Sequence, residues 1–173
     1  NEVELFSKEA QFSQNPDLLT ESTSLGRVEE ILREQLDAPD RNFEVSSQPN
    51  VTLEINLENS PGDTSVPLSE KRFELIVQHL VQNSLDATRD RDNPSINIKV
   101  RINEQELILH IVDNGTGFEG KSSELLDPFH TTKSDVERLG LGLSIIESIM
   151  QRIGGSLNLR SQDEMGTTAL VRI

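Results

Sequence analysis

Apolar and polar residues alternate along residues 51–57, where Val51, Leu53, Ile55 and Leu57 fall on one side of an extended chain. This period of two predicts a half-buried β-strand. Four further stretches have strand character and are joined in pairs by short links: residues 95–102 with 106–113, and residues 155–161 with 167–173. Because the strands of a hairpin run antiparallel, we expect a mixed sheet rather than an all-parallel one.

Helical spacing occurs first in residues 26–36, which place Val28 and Ile31 on one face after the candidate caps Thr23 and Ser24. A second helix is expected from a cap at Ser69 to about Thr88. Its buried stripe is predicted to contain Phe73, Ile76, Val77, Leu80, Val81 and Ser84.

The stretch 141–155 predicts a third helix, with Gly154 and Gly155 past its C-terminus. Residues 59–65 are predicted to be a turn-rich loop, and residues 114–138, which show no sustained period, to be a functional lid. The order of these elements predicts an α/β sandwich, in which a mixed β-sheet packs on helices.

The composition suits one domain of ordinary size. The chain has 173 residues and a net charge of −14, and such a charge repels phosphate backbones and anionic lipid. We therefore expect no nucleic-acid binding and no direct membrane contact. Zero Cys excludes disulfides, thiol catalysis and cysteine metal sites, and is compatible with the cytoplasm. Without an initial Met or a visible signal peptide, the chain is expected to be a fragment.

The stretch DNGTGFEGKS, residues 113–122, matches two nucleotide-binding patterns. Residues 115–122 spell the phosphate-binding P-loop, whose Lys-Ser must open a helix. Pro128 follows Ser122 too closely for such a helix, and no second buried strand offers a terminal Asp for magnesium. We therefore interpret the P-loop match as accidental and favour the other pattern, Asp-x-Gly-x-Gly over residues 113–117.

Five motifs occur in a fixed order: HLVQNSLDA (79–87), DNGTG (113–117), DPFHTTK (127–133), LGLGLS (139–144) and GTTALVRI (166–173). In order and spacing they resemble the ATP-binding domain shared by histidine kinases, gyrase, Hsp90 and MutL. The histidine kinase branch is the most similar, in particular sensor kinases of the nitrogen-regulation and dicarboxylate-sensing type. The resemblance covers about residues 26–173.

The resemblance implies a role for each motif at the purine. The Asp113 carboxylate would accept the exocyclic amine of adenine and repel the carbonyl of guanine. Gly115 and Gly117 would let the backbone approach the ring. Gly166 resembles the terminal glycine box, and Thr168 would contact adenine through water.

The same resemblance implies which residues would contact magnesium and the phosphates of ATP. Asn83 and Asp86, with His79 one turn earlier, share a helix stripe, and the amide oxygen of Asn83 would ligate magnesium. The lid would place Lys133, the second catalytic residue after Asn83, over the β- and γ-phosphates. The remaining ATP-binding residues that the resemblance implies are Thr131, Thr132, Leu139, Gly140, Leu141, Gly142 and Leu143. Taken singly, these motifs also fit an exposed helix Asn, a strand-end turn and a glycine-rich linker.

The chain departs from the family pattern at two positions. Arg138 stands where the lid usually carries Gly. His79 stands where many kinases have a second Asn and the gyrase branch has a catalytic Glu, so it could activate water, contact the metal through water or be structural. His110 is expected to be structural and His130 to contact the lid, which Phe129 would anchor.

These implications lead to one leading hypothesis: an ATP-binding catalytic domain of a sensor histidine kinase, using ATP and Mg²⁺. Residues 1–22 would be the remnant of the dimerisation hairpin and a linker, and residues 23–173 the catalytic domain. None of the three His residues has the His-Glu context of a phosphoacceptor. The expected partners are therefore the dimerisation and phosphoacceptor domain of the parent kinase and a response regulator receiver domain. The alternatives are a regulatory module without transfer activity and a self-sufficient ATPase.

Overall fold

The computed structural model describes residues 21–37, 50–57, 65–102, 106–118, 142–162 and 165–173. Its main sheet has five strands: β2 (Asn50–Leu57), β4 (Ser95–Ile102), β5 (Leu107–Asp113), β6 (Ser156–Gln162) and β7 (Gly166–Arg172). A separate two-stranded sheet joins β1 (Thr23–Ser24) to β3 (Ser65–Val66) in antiparallel fashion. Among the described residues, these strands and three helices make up the fold.

The main sheet has the order β2-β4-β5-β7-β6. Strand β2 runs parallel to β4, and the other three neighbouring pairs are antiparallel. The prediction of a mixed sheet is therefore confirmed. The order places the C-terminal end of β5 beside the start of β7, so Asp113 and Gly166 lie at the same end of these two strands.

The three helices are α1 (Leu25–Asp37), α2 (Glu70–Thr88) and α3 (Gly142–Ile153). Helix α2 packs against α1, α3 and the middle of the sheet. The predicted stripe of α2 is buried in full, from Phe73 to Ser84. The alternating pattern of β5 buries Leu107, Leu109 and Ile111 against these helices, because one face of a sheet must be covered by an apolar layer.

Helices α1 and α2 are also linked by charge. The Arg27 guanidinium contacts Glu34 at 3.1 Å, Glu30 at 3.0 Å and Glu70 at 3.0 Å. Hydrogen bonds to Glu34 first, and then to Glu30 and Glu70, raise the pKa of Arg27 above its ordinary value. The contact with Glu70 joins the start of α2 to α1.

Two details differ from the sequence predictions. Ser69 occupies the N-cap position of α2, but its side chain makes no capping hydrogen bond. Instead, its carbonyl accepts the amides of Arg72 at 3.1 Å and Phe73 at 3.0 Å. The loop predicted for residues 59–65 was wrong at its end, since Ser65 belongs to β3. A strand this short has no periodicity to detect, and its pairing with Ser24 is long-range.

Candidate functional site

Asp113 is the last residue of β5, and only 6% of its surface is exposed. Its Oδ1 accepts the backbone amides of Gly115 at 2.9 Å and Thr167 at 3.0 Å. Its Oδ2 accepts the hydroxyl of Ser84, from α2, at 3.0 Å. Burial raises the pKa of Asp113 above 3.8, while these three hydrogen bonds act in the opposite direction. The three donors favour an ionised side chain that only accepts hydrogen bonds.

The loop after Asp113 is pressed against the C-terminal end of α2. A Cβ on Gly115 would lie 2.6 Å from the Cβ and from the carbonyl oxygen of Ala87, so only glycine fits there. The amide of Thr116 donates to the Ala87 carbonyl at 3.0 Å. Arg91 donates to the carbonyl of Gly115 at 2.7 Å. The predicted close backbone approach at Gly115 is therefore an approach to α2.

The same loop is tied to the β6–β7 hairpin. Gly117 has a positive φ of 72°, and the amide of the next residue, Phe118, donates to Ser161 Oγ at 2.9 Å. Ser161 Oγ in turn donates to the carbonyl of Gly166 at 2.8 Å. Gly166 has a φ of 94°, and a Cβ there would lie 2.0 Å from the Asp113 carbonyl oxygen. Loop and hairpin are thus fixed against each other.

Thr168 lies on β7 opposite Val112 of β5 and is half-buried. The contact with Asp113 comes from the neighbouring residue, Thr167, through its backbone amide. Both threonines line a cavity of about 580 Å³. The other residues that line it are Val112, Asp113, Phe118, Leu159, Arg160, Ser161, Met165 and Gly166.

Asn83 and Asp86 lie on α2, one turn apart, and both residues are partly buried. Asn83 directly precedes Ser84, the residue that donates to Asp113. The Asp86 side chain is 6% exposed. Its Oδ1 accepts Gln82 Nε2 at 3.1 Å and contacts Arg89 Nη2 at 3.4 Å. Through Ser84, this part of α2 lies beside the end of β5.

His79 lies where α2 meets the first turn of α3. A Cβ on Gly142, the first residue of α3, would lie 3.0 Å from His79 Nδ1 and 3.2 Å from its Cγ. Glycine therefore allows the start of α3 to approach the imidazole ring. Leu143, which follows, is half-buried and packs on the core. This packed position fits the structural interpretation of His79.

Several predicted site residues lie outside the described part of the chain: Phe129, His130, Thr131, Thr132, Lys133, Arg138, Leu139, Gly140 and Leu141. Their assignments stay predictions, as do those of residues 1–20. Within the described ranges, no group of three or more His, Cys, Asp or Glu residues could hold a metal ion. No helix in these ranges is long and apolar enough to cross a membrane.

Sequence reasoning missed three contributors to this site. Ser84 was expected only as part of a buried stripe, although a hydroxyl in an apolar stripe next to Asn83 signals a buried partner. Arg91 lies beyond the helix and carries no motif. Asn114 looked like a turn residue, yet its Oδ1 accepts the amide of Ser95 and its Nδ2 donates to the carbonyl of Asn93, both at 2.8 Å.

A family model described as histidine kinase-, DNA gyrase B-, and HSP90-like ATPase matches residues 68–173. This match covers more than half of the chain, and the chain therefore belongs to that family. Within it, the chain is an ATP-binding catalytic domain of the sensor histidine kinase type, which confirms the resemblance drawn from the five motifs. The assignment agrees with the Asp-x-Gly-x-Gly interpretation of residues 113–117.

Curated relatives of the chain are sensor proteins. The C4-dicarboxylate transport sensor protein DctB of Rhizobium meliloti is 32% identical over 120 residues, which cover 69% of this chain and 19% of that protein. The sensor protein TdiS of Thauera aromatica is 29% identical over 123 residues, which cover 68% of this chain and 22% of that protein. The chain thus spans about a fifth of the length of these relatives.

Solved structures share the fold. The catalytic domain of histidine kinase ThkA matches with a TM-score of 0.64 at 23% identity, covering 88% of this chain and 95% of that one. The mycobacterial sensor histidine kinase MprB matches with a TM-score of 0.65 at 17% identity, covering 89% and 96%. These likenesses confirm the predicted α/β sandwich with helices on a mixed sheet.

Proposed function

We propose that the chain binds ATP with magnesium around Asp113 and transfers the γ-phosphoryl group to a histidine on the dimerisation domain of a longer parent protein. A response regulator receiver domain would then take the phosphoryl group from that histidine. The observation that carries the proposal is the Asp113 carboxylate, which is buried, accepts three hydrogen bonds and borders a cavity of about 580 Å³. Because cells keep ATP in the cytoplasm, the domain would work there.

The purine would be read by this carboxylate. Two backbone amides and one hydroxyl fix Asp113 as an acceptor, so it attracts an exocyclic amine and repels a carbonyl at the same position. Adenine offers the amine and guanine the carbonyl. Thr168 borders the same cavity and would reach the purine through a water molecule.

The residues on α2 fit a magnesium ion of the kind that ATP brings with it. Magnesium prefers octahedral oxygen coordination and keeps several waters beside phosphate oxygens, so one protein ligand is enough. The amide oxygen of Asn83 supplies that ligand without adding to a net charge of −14. When bound, the ion would neutralise charge on the triphosphate.

The remaining phosphate contacts would come from residues around the start of α3 and from the segment before it. Amides at the beginning of a helix favour phosphate, which gives Gly142 and Leu143 their proposed role. Lys133 would add the cation that an acidic domain needs near a polyanion. The other members of this proposed set are Thr131, Thr132, Leu139, Gly140 and Leu141.

Phosphoryl transfer needs positioning and charge stabilisation more than covalent chemistry by the enzyme. Here the hydrogen bond from Ser84 to Asp113 links α2 to β5. The Asp113 carboxylate, which would read the base, and Asn83, the residue before Ser84, therefore belong to one frame formed by α2 and β5. That frame fixes the ends of the nucleotide, while the acceptor histidine arrives on a separate domain. The bond from the γ-phosphorus to the bridging oxygen breaks, ADP keeps the electron pair, and a nitrogen–phosphorus bond forms.

A direct experiment titrates the chain with ATP, with and without magnesium, by calorimetry. Radiolabelled ATP is then supplied with the dimerisation hairpin of the parent protein expressed separately. We expect magnesium-dependent ATP binding and label on the hairpin histidine. Nucleotide binding without any transfer would favour the regulatory module, and absence of binding would refute the proposal. Steady ATP hydrolysis lost in His79→Ala would favour the self-sufficient ATPase, although the ring of His79 is packed against Gly142.

A further inference from the structure

The carboxylate of Asp113 has a limited number of acceptor positions, and the structure shows how most are used. An ionised carboxylate offers about four lone-pair directions, two on each oxygen. Oδ1 uses both of its directions for the amides of Gly115 and Thr167. Oδ2 uses one for the hydroxyl of Ser84. One acceptor direction on Oδ2 therefore stays open, on a residue that lines the cavity.

The three donors differ in origin. The two amides belong to the loop and the hairpin, and their positions follow from the close contacts of Gly115 and Gly166. Ser84 instead donates from a side chain on α2, where it is 5% exposed in an otherwise apolar stripe. Only this third donor binds the oxygen that keeps an open direction. Its hydroxyl therefore controls where that last lone pair points.

We propose that Ser84 is a positioning residue for purine selection: its hydroxyl orients Asp113 Oδ2 so that the remaining lone pair receives the exocyclic amine of adenine. This inference rests on the proposed function, because it presumes ATP in the cavity beside Asp113. A carboxylate held only through Oδ1 could rotate Oδ2 away from the amine. A site that depends on one hydrogen bond for discrimination needs that bond held in a fixed direction.

The Ser84 hydroxyl also lowers the pKa of the Asp113 carboxyl group. Burial raises the pKa of this carboxyl, and the hydrogen bonds of Gly115, Ser84 and Thr167 lower it. Removing the hydroxyl leaves burial with less opposition, so the carboxyl takes up a proton at a higher pH. A protonated carboxyl accepts the amine poorly. Loss of adenine recognition on acidification is therefore expected at a higher pH in Ser84→Ala than in the original protein.

Charged groups on the elements around Asp113 also matter in such a pH experiment. Asp86 lies on α2 and Arg89 directly follows that helix, and the two contact each other at 3.4 Å. Arg91 follows α2 and donates to the carbonyl of Gly115, while Arg160 of β6 lines the cavity. Burial and the three hydrogen bonds, not these groups, shift the pKa of Asp113. All four charged residues are kept in every variant below.

The experiment compares the affinities of ATP and purine riboside triphosphate, which lacks the exocyclic amine, from pH 8 down towards 3.8, the ordinary value for this carboxyl. Because both ligands carry the same triphosphate, titration of the phosphates cancels in their affinity ratio. For Ser84→Ala we expect ATP to bind roughly three- to tenfold more weakly at neutral pH. The affinity for the analogue should stay unchanged, and the ratio should fall at a higher pH than in the original protein.

Two variants serve as controls. Thr88→Val removes another buried hydroxyl from α2, one that donates only to the helix carbonyls of Ser84 and Leu85. It should leave the affinity ratio unchanged. Ser84→Thr keeps a hydroxyl and should retain the pH profile of the original protein. Thermal melting of each variant establishes that it is folded.

The outcomes separate the two proposals. If the original protein binds neither ligand, the proposed function fails. If it binds ATP but Ser84→Ala keeps the same affinity ratio at every pH, the role of Ser84 is refuted while the ATP site stands. Equal loss of both ligands in Ser84→Ala, or a matching loss in Thr88→Val, would show a merely structural hydroxyl and would also refute the inference.

Discussion

The two sides of the candidate site differ in the groups that form them: backbone groups surround Asp113 at the end of β5, and side chains form the part on α2. At the end of β5, backbone surrounds Asp113: two amides bind its Oδ1, and Gly115 and Gly166 leave no space for a side chain. On α2, by contrast, His79, Asn83 and Asp86 project as side chains from one regular helix. Backbone contacts leave the base side no room for an added side chain, whereas the helix side can accommodate changes of side chain. A side chain added at these glycines should therefore cost folding on the first side, whereas substitutions on the second should cost ligand binding.

The largest expected effect is on the base side, in Gly166→Ala. The new Cβ would meet the Asp113 carbonyl oxygen at 2.0 Å, at a φ of 94° that alanine rarely adopts. We expect a loss of about 3 kcal/mol in the free energy of unfolding, measured by urea denaturation. Gly154→Ala is the matched control, because its φ is 73° and no atom lies within 4 Å. It should cost about 1 kcal/mol, and equal losses in the two variants would refute the close-contact argument.

Asp113→Asn should separate folding from recognition on the same side. The Asn oxygen can still accept the amides of Gly115 and Thr167, and its Nδ2 can donate to Ser84. ATP should bind roughly 10- to 100-fold more weakly, because the amine now faces a donor. ITP, with a carbonyl in place of the amine, should lose less. Calorimetry with both nucleotides measures the difference, and an unchanged ATP affinity would contradict the assignment of the purine.

The same variant carries a prediction for pH. Since folding raises the pKa of Asp113 above 3.8, its ionised form costs stability at neutral pH, and protonation relieves that cost as the pH falls through the folded pKa. Asp113→Asn should therefore be as stable as the original protein or more stable at pH 7. Its advantage should shrink as the pH falls towards 3.8. Melting temperatures across this range test the sign, and an advantage that grows on acidification would contradict it.

On the helix side, Asn83→Ala should change magnesium dependence rather than folding. Losing one oxygen ligand should weaken ATP binding in the presence of magnesium on the order of tenfold, with little change in its absence. Gln78→Ala removes an exposed amide side chain from the same helix and serves as the control. Calorimetry with and without magnesium distinguishes them. If both variants respond alike, Asn83 is not a ligand.

The smallest expected effect lies away from both sides, in Gly26→Ala. Gly26 is inside α1, and a Cβ there meets no atom within 4 Å. Alanine should stabilise the protein by up to about 1 kcal/mol and leave ATP affinity unchanged. A melting curve and one ATP titration are sufficient. A changed affinity would mean that α1 takes part in the site.

Regular periodicity let the sequence predict most of the fold. Strand β4 and helix α2 agree with their predicted ranges, and β2, β5, α1 and α3 differ by one residue at one or both ends. The parallel pairing of β2 with β4 was not predicted, because the register that places Val51 beside Ile96 depends on distant residues. The two short strands gave no periodic signal, because two residues are too few to show a period.

For the site, the sequence identified residues with an unusual chemical type but not the contacts between them. Asp113, Gly115 and Gly166 stood out because each is a defining residue of its motif, a strand-end acid or a glycine. The hydroxyl of Ser84 and the amide of Thr167 did not, since a helix stripe hides the first and a backbone donor has no residue signature. Whether Thr167 or Thr168 contacts Asp113 depends on the register between strands β5 and β7.

The Asp113 carboxylate joins Ser84, Gly115 and Thr167, which are far apart along the chain but meet within one side chain. Three segments of the chain thus share a single hydrogen-bond acceptor. Their amide protons should exchange with solvent together rather than one segment at a time, and Asp113→Ala should release all three in one step. In this domain the group proposed to recognise the nucleotide therefore also holds α2, the loop after β5 and strand β7 together.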